Sequence, residues 1–202
     1  MGQGTKILIL GGFLGSGKTT VLLELAKHIT ARSDKETPIA ILENEIGEVD
    51  VDGGAVGSAG YAVKSLFAGC ACCELIGQLP SAVEGIINDF QPELLIIETT
   101  GVAVPSSMVK ALKSVSDDIR TCILVDASRW TRIRKPLEVL LRDQLESADV
   151  ILVNKCDLVD EEALECAKTD ALEYAGTDRP FICVSAKNGF TDADFAALLG
   201  GE

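Results

Sequence analysis

The sequence is poor in histidine, in long apolar runs and in positive charge. His28 is the single histidine; near the end of a helical stretch it reads as a polar-face or capping side chain and not as a ligand. Uninterrupted apolar runs span only a few residues, which excludes a transmembrane helix. The start of the chain lacks a basic region and a small-residue cleavage site, so no secretory leader is read there and a cytoplasmic location is expected. Lys and Arg number 18 against 31 Asp and Glu, a net charge of -13 that repels nucleic acid and anionic membranes and excludes both as partners. Neither an internal repeat nor a linker divides the chain, so residues 1–202 are expected to form one domain. Apolar residues at 47% suffice for a core without disulfides or a structural metal. In the cytosol, seven cysteines point to thiols or metal ligands ahead of disulfides.

What is present begins with Ile7 to Leu10, a short β-branched run bounded by Gly11 and Gly12 that reads as a buried strand entering a glycine turn. The stretch after it, GFLGSGKTT from Gly12 to Thr20, contains Gly12, Gly17, Lys18 and Thr19 at the G-x-x-x-x-G-K-[ST] spacing. Backbone N–H groups of Gly15, Ser16 and Gly17 then curl around phosphate oxygens, the Lys18 ammonium reaches the outer phosphates, and the Thr19 hydroxyl ligates Mg²⁺, with Thr20 beside it. A helix starting at Lys18 adds its positive end to the same anion.

Downstream, strand candidates at 38–42, 61–67, 94–97, 122–125, 150–153 and 181–184 alternate with helix candidates at 74–89, 105–115, 137–146, 161–175 and 191–199. This alternation predicts an α/β fold of the P-loop NTPase kind: a mostly parallel sheet of six or seven strands, helices on both faces, and the ligand at the strands' carboxyl ends. Glu98, closing the strand 94–97, is placed to hold Mg²⁺ through water or to orient the attacking water, and Gly101 to let backbone approach the γ-phosphate. Asn154, Lys155 and Asp157 follow the apolar strand at 150–153. The Asp157 carboxylate suits the guanine N1–H and 2-amino group, Asn154 supports the base and Lys155 stacks on it, while backbone of Ser185, Ala186 and Lys187 reads the guanine O6. These signals choose GTP over ATP.

Two further stretches carry chemistry. Glu43 to Asp52 holds five acids in ten residues and reads either as a nucleotide-sensing switch or as a solvated loop. Cys70, Cys72 and Cys73 put three thiols within four residues. Metal coordination by a soft or borderline ion, redox sensing and inert packing are all open to them, and Cys73 is placed to begin a helix that lowers its pKa. Cys122, inside an apolar strand, is expected to be inert. Trp130 with Arg129, Arg132, Arg134 and Lys135 is expected to be a solvated approach to a helix, with partner docking as the lesser reading.

In their order along the chain, GGFLGSGKTT, ENEIGEVDVDG, GCACC, ETTG and NKCD resemble the CobW family of P-loop GTPases, relatives of the HypB and UreG metallochaperones. The resemblance covers nearly the whole chain. It implies a Zn²⁺, Co²⁺ or Ni²⁺ site with Cys70, Cys72, Cys73, Glu43 and Glu48 as ligands, and Lys18 and Glu98 as catalytic groups beside GTP and Mg²⁺. No lysine stands at Phe13 or Leu14, unlike the septum-site and arsenical-pump ATPases. Most family members carry a further C-terminal domain and often a histidine-rich stretch; here a G domain alone is expected, which speaks against metal storage.

The function expected is a slow GTPase that ties nucleotide state to metal binding and delivery to a client metalloprotein, with a nucleotide-dependent homodimer as one arrangement. The alternative is a GTP-dependent switch that gates or repairs a cofactor-dependent client enzyme, its cysteines structural or regulatory. ATP at equal concentration is expected not to displace labelled GTP in a competition assay; displacement would remove the guanine assignment.

Overall fold

The computed structural model describes residues 4–43, 61–65, 72–176 and 179–201, with no side-chain account of residues 61, 63–65 and 72–75. Seven strands form one sheet: β1 (Lys6–Gly12), β2 (Ile39–Glu43), β3 (Tyr61–Ser65), β4 (Leu94–Glu98), β5 (Ile119–Asp126), β6 (Val150–Asn154) and β7 (Phe181–Cys183). Their order is β3-β2-β4-β1-β5-β6-β7, and every pairing is parallel. Helices α1 (Lys18–Thr30), α2 (Cys72–Phe90), α3 (Pro105–Leu112), α4 (Trp130–Ile133), α5 (Glu138–Glu146), α6 (Glu161–Ala175) and α7 (Asp192–Leu199) lie between or after them. No described helix is long and apolar enough to cross a membrane.

The central strand shows why the sequence carries continuous apolar runs where a one-sided sheet would alternate. Leu8 and Leu10 pack on Val21, Leu22 and Leu25 of α1 and on Phe195 and Leu198 of α7. Ile7 and Ile9 face the other way, onto Leu79, Val83 and Ile86 of α2 and Met108 and Leu112 of α3. All four β1 side chains are fully buried, each contributing about 2 kcal/mol of apolar transfer. A parallel sheet covered on both faces requires this pattern.

The ends of the last two helices are specified locally. The Asp160 carboxylate accepts from the Ala163 N–H at 2.8 Å and caps α6. Thr191 and Asp194 exchange bonds in a capping box that starts α7. Such caps stabilise a helix by about 1 kcal/mol. At the other end of α7 the Lys6 ammonium reaches the Leu199 carbonyl at 2.7 Å and Arg120 the Ala197 carbonyl at 2.9 Å, two cations meeting the helix's negative pole.

Several boundaries differ from those expected. Helix α2 begins at Cys72 instead of Glu74, β5 extends from Ile119 to Asp126, and α3 stops at Leu112. The principal correction concerns Trp130. It is not a solvated approach to a helix: it is fully buried, opens the short helix α4, and donates its indole N–H to Asp170 at 2.8 Å. Arg134 pairs with the same carboxylate. Burial raises the Asp170 pKa, but the bonds from Trp130 and Arg134 outweigh it and hold the carboxyl below its usual range. Of the basic cluster only Arg132 and Lys135 are exposed. His28 is also more enclosed than a polar-face residue: its ring stacks on Phe195 at 3.7 Å and burial holds its pKa down, with Arg32 adding to the effect. Cys122 is buried as expected, its thiol pushed up to about 12 by desolvation.

Replacing Trp130 by Ala is expected to destabilise the fold by about 3–5 kcal/mol, and by Phe by about 1 kcal/mol through loss of the indole hydrogen bond to Asp170, which keeps Arg134 as a partner. Urea denaturation followed by circular dichroism measures both, and equal stability of the three proteins would refute the packing role.

Candidate nucleotide and metal site

The loop Gly12–Gly17 leaves β1 at the point where the sheet order reverses, between β4 and β5, which is the place where parallel α/β sheets open a crevice for ligands. At its end Gly17 adopts φ +100°, and a Cβ there would lie 2.3 Å from the Asn154 Nδ2. Only glycine permits both the left-handed turn and the contact. Helix α1 then starts at Lys18, directing its N-terminus at the loop.

Three side chains from outside the loop each take one of its carbonyls. Arg129 donates to the Leu14 oxygen at 3.0 Å, Lys155 to the Gly15 oxygen at 2.7 Å, and Asn154 to the Ser16 oxygen at 2.8 Å. With three of its carbonyls drawn outward, the loop can turn amides toward an anion, while the Ser16 N–H expected among them donates instead to the Phe13 carbonyl at 3.1 Å. The Lys18 ammonium is buried and donates to the Gly12 carbonyl at 3.2 Å.

The Thr19 hydroxyl donates to the Glu98 Oε1 at 3.0 Å. Hard oxygens from the helix start and from the end of β4 therefore meet beside the loop, a donor pair that fits Mg²⁺. Glu98 stands in register with Leu10 of β1 on one side and with Glu43 of β2 on the other. Neighbouring strands lie about 4.8 Å apart, so two carboxylate-bearing residues share the carboxyl edge of the sheet next to the phosphate loop. Glu43 also pairs with Ser65, the last residue of β3. Helix α2 starts at Cys72, after β3, on the same edge, because a parallel crossover leaves from the carboxyl end of its strand. Cys70 and Glu48 lie outside the described residues, as does most of the acidic stretch.

Gly101 follows β4 and packs onto the phosphate loop so closely that a Cβ would meet the Leu14 backbone nitrogen at 2.6 Å. The buried Gln144 of α5 holds this segment, donating to the Gly101 carbonyl at 3.2 Å and the Ala103 carbonyl at 2.8 Å.

The expected base loops meet at Asn154. Its Oδ1 accepts from the Lys155 N–H at 2.8 Å and the Ala186 N–H at 2.9 Å, so one carboxamide joins the phosphate loop, the Asn154–Asp157 segment and the Ser185–Lys187 segment. Lys155 adopts φ +64° before the short 3₁₀ turn Cys156–Leu158, which leaves Asp157 exposed. Ala186 is buried, Ser185 is half-buried and Lys187 is exposed. Ser16 is fully buried, whereas Gly15, Thr19 and Thr20 are exposed.

Sequence reasoning missed Asp126. Buried at the end of β5 and in register with Asn154, it accepts from the Ser128 N–H, the Ser128 hydroxyl at 2.6 Å and the Lys155 ammonium at 2.7 Å. The signal was available, since an acid ending a buried central strand is the feature that marked Glu98. Arg129 and Gln144 carried no such signal, because their partners are backbone carbonyls distant in sequence.

A glycine-turned loop at the sheet's switch point, an enclosed lysine and a threonine–glutamate pair define a P-loop nucleotide-binding domain. The sequence model described as "CobW/HypB/UreG, nucleotide-binding domain" matches residues 6–181, and the chain belongs to that family of GTPases. It is 34% identical over 185 residues to the zinc chaperone YeiR of Escherichia coli, covering 88% of this chain and 54% of YeiR. It is 29% identical over 227 residues to a zinc chaperone CobW of a Sinorhizobium species, covering 95% and 61%. The chain thus spans little more than half the length of these relatives. Among solved structures, Zn(II)-bound YjiA GTPase of E. coli aligns with TM-score 0.62 at 23% identity over 99% of this chain and 63% of that one. HypB of Helicobacter pylori in complex with nickel aligns with TM-score 0.61 at 19% identity over 96% and 82%. These two likenesses establish the fold.

Asp126 acts as a positioning residue for Lys155. Asp126→Ala is expected to weaken binding of a fluorescent GDP by about tenfold, or 1.4 kcal/mol, and Asp126→Asn by less. Titration of each variant, with melting curves confirming that it is folded, checks this; unchanged affinity in folded Asp126→Ala would remove the role.

Proposed function

We propose that the chain binds GTP with Mg²⁺, hydrolyses it slowly, and uses nucleotide state to control a transition metal held by Cys70, Cys72, Cys73, Glu43 and Glu48 for delivery to a client metalloprotein. The observation that carries this reading is the register of Glu43 with Glu98. One backbone step across the sheet separates a candidate metal ligand from the carboxylate that meets Thr19. A change at the terminal phosphate that shifts Glu98 or Thr19 therefore acts on the strand end that bears Glu43.

Within this reading Lys18 neutralises charge on the outer phosphates, and Thr19 and Glu98 hold Mg²⁺, which offsets charge developing on the phosphoryl oxygens when it is bound. Asp157 selects guanine, and the Ala186 N–H is held by Asn154, at the start of the segment that bears Asp157. Slow hydrolysis is supported by Arg129 and Gln144. These are an arginine and a glutamine close to the loop, and both are engaged with backbone carbonyls. Such groups accelerate phosphoryl transfer when aimed at the substrate. Zinc chaperones among the relatives make Zn²⁺ the first metal to test.

Equilibrium dialysis with Zn²⁺, Co²⁺ and Ni²⁺ is expected to give at least about tenfold tighter binding with a non-hydrolysable GTP analogue than with GDP, and Cys72→Ser is expected to abolish that difference while leaving GDP binding intact. Equal affinity in both nucleotide states would overturn the coupling. Client binding that stays GTP-dependent in Cys72→Ser would favour the switch reading.

A further inference from the structure

Two thiols outside the Cys70–Cys73 cluster lie on adjoining backbone segments behind the base loops. Cys156 stands between Lys155 and Asp157, and Cys183 ends β7 in register with Val153 of β6. The backbone ties the two segments closely. The Val184 N–H donates to the Val153 carbonyl at 2.9 Å, and the Cys156 N–H donates to the Val184 carbonyl at 3.2 Å. Ile182 and Val184 point into the core beneath α1 and α7, so by strand alternation Cys183 points to the opposite face, where Cys156 packs with the α6 cluster. The Cys156 thiol donates to the Val153 carbonyl at 3.2 Å, and Val153 is the β6 residue that pairs with Cys183 in the sheet. Both are free thiols, Cys156 half-buried and Cys183 exposed.

We propose that Cys156 and Cys183 are a disulfide-forming pair, and that closing the bond weakens guanine nucleotide binding. This rests on the guanine site proposed above. The bond draws Cys156 from the Val153 carbonyl toward β7, and the residues on either side of it, Lys155 and Asp157, move with it. Lys155 holds the Gly15 carbonyl and Asp126 in a left-handed conformation, so a displacement of its neighbour reaches both the base loop and the phosphate loop. A disulfide also has narrow geometric limits that the reduced segment has no need to meet.

The oxidant is a low-molecular-weight disulfide such as oxidised glutathione. The exposed Cys183 thiolate attacks one of its sulfurs and expels a glutathione thiolate; Cys156, losing its proton, attacks the Cys183 sulfur and expels the second. Two protein thiols are oxidised and one glutathione disulfide is reduced to two thiols. Burial pushes the Cys156 thiol up to about 11 and raises Cys183 as well, against the pull of the nearby Lys168 ammonium. Exchange therefore speeds up as pH rises.

The full chain, reduced and then treated with oxidised glutathione, is digested without reductant and mapped by mass spectrometry, and its affinity for a fluorescent GDP is titrated at each stage. The expected result is a Cys156–Cys183 crosslink two hydrogens lighter than the reduced peptides, with fragmentation separating Cys156 from Cys166. Affinity falls by about tenfold and dithiothreitol restores it. Cys183→Ser, or Cys183→Ala should the first fold poorly, is expected to bind GDP like the reduced protein and to keep that affinity after oxidant. Absence of the crosslink, a crosslink with unchanged affinity, or an equal loss in the Cys183 variants overturns the proposal. Failure of the reduced protein to bind GDP would instead refute the guanine site itself.

Discussion

The carboxamide of Asn154 is the interaction on which the site depends. Its nitrogen donates to Ser16 in the phosphate loop, and its oxygen accepts from Lys155 and Ala186. Three loops from the ends of three strands are therefore set against one another by one buried side chain. A carboxamide suits this place because it donates and accepts at once; a carboxylate of the same shape would set a negative charge against the Ser16 carbonyl. Gly17 is a consequence of the same contact, since any side chain there would occupy the space of the Asn154 nitrogen.

Around that point the protein uses polar side chains mainly to hold backbone. Arg129, Lys155 and Asn154 each take a carbonyl of the phosphate loop, and Gln144 takes two from the segment after β4. The buried Ser16 needs a partner for its carbonyl and finds it in Asn154, while Arg129 and Lys155 fix the exposed Leu14 and Gly15 carbonyls from outside. Lys155 is itself held by Asp126. Asp126, Arg129 and Gln144 act in this way through backbone or through another side chain, which is why they escape motif-based reading.

Much of the fold was legible because its strands are buried on both faces. Ile7–Leu10, Leu94–Ile97 and Val150–Val153 have no polar alternation, and each is followed by a residue whose chemistry makes sense only at a sheet's carboxyl edge. The phosphate loop, Glu98 and Asn154 were read this way. Trp130 was not, since an aromatic residue among arginines looks solvated until Asp170, forty positions away, is seen beneath it. Asp126 shared the strand-end signal of Glu98 and was passed over for want of a motif around it.

The sequence by itself determined the alternation of the main strands and helices, the glycine loop, the strand-end place of Glu98, and the family, because local periodicity and short spacings carry those. Only the tertiary structure decided the strand order, which sets Glu43 beside Glu98, the convergence of Arg129, Asn154 and Lys155 on one loop, and the placing of Cys156 and Cys183 on adjoining segments. Each of these joins residues far apart in the chain, and a contact made by crossing the sheet leaves no trace in spacing along it.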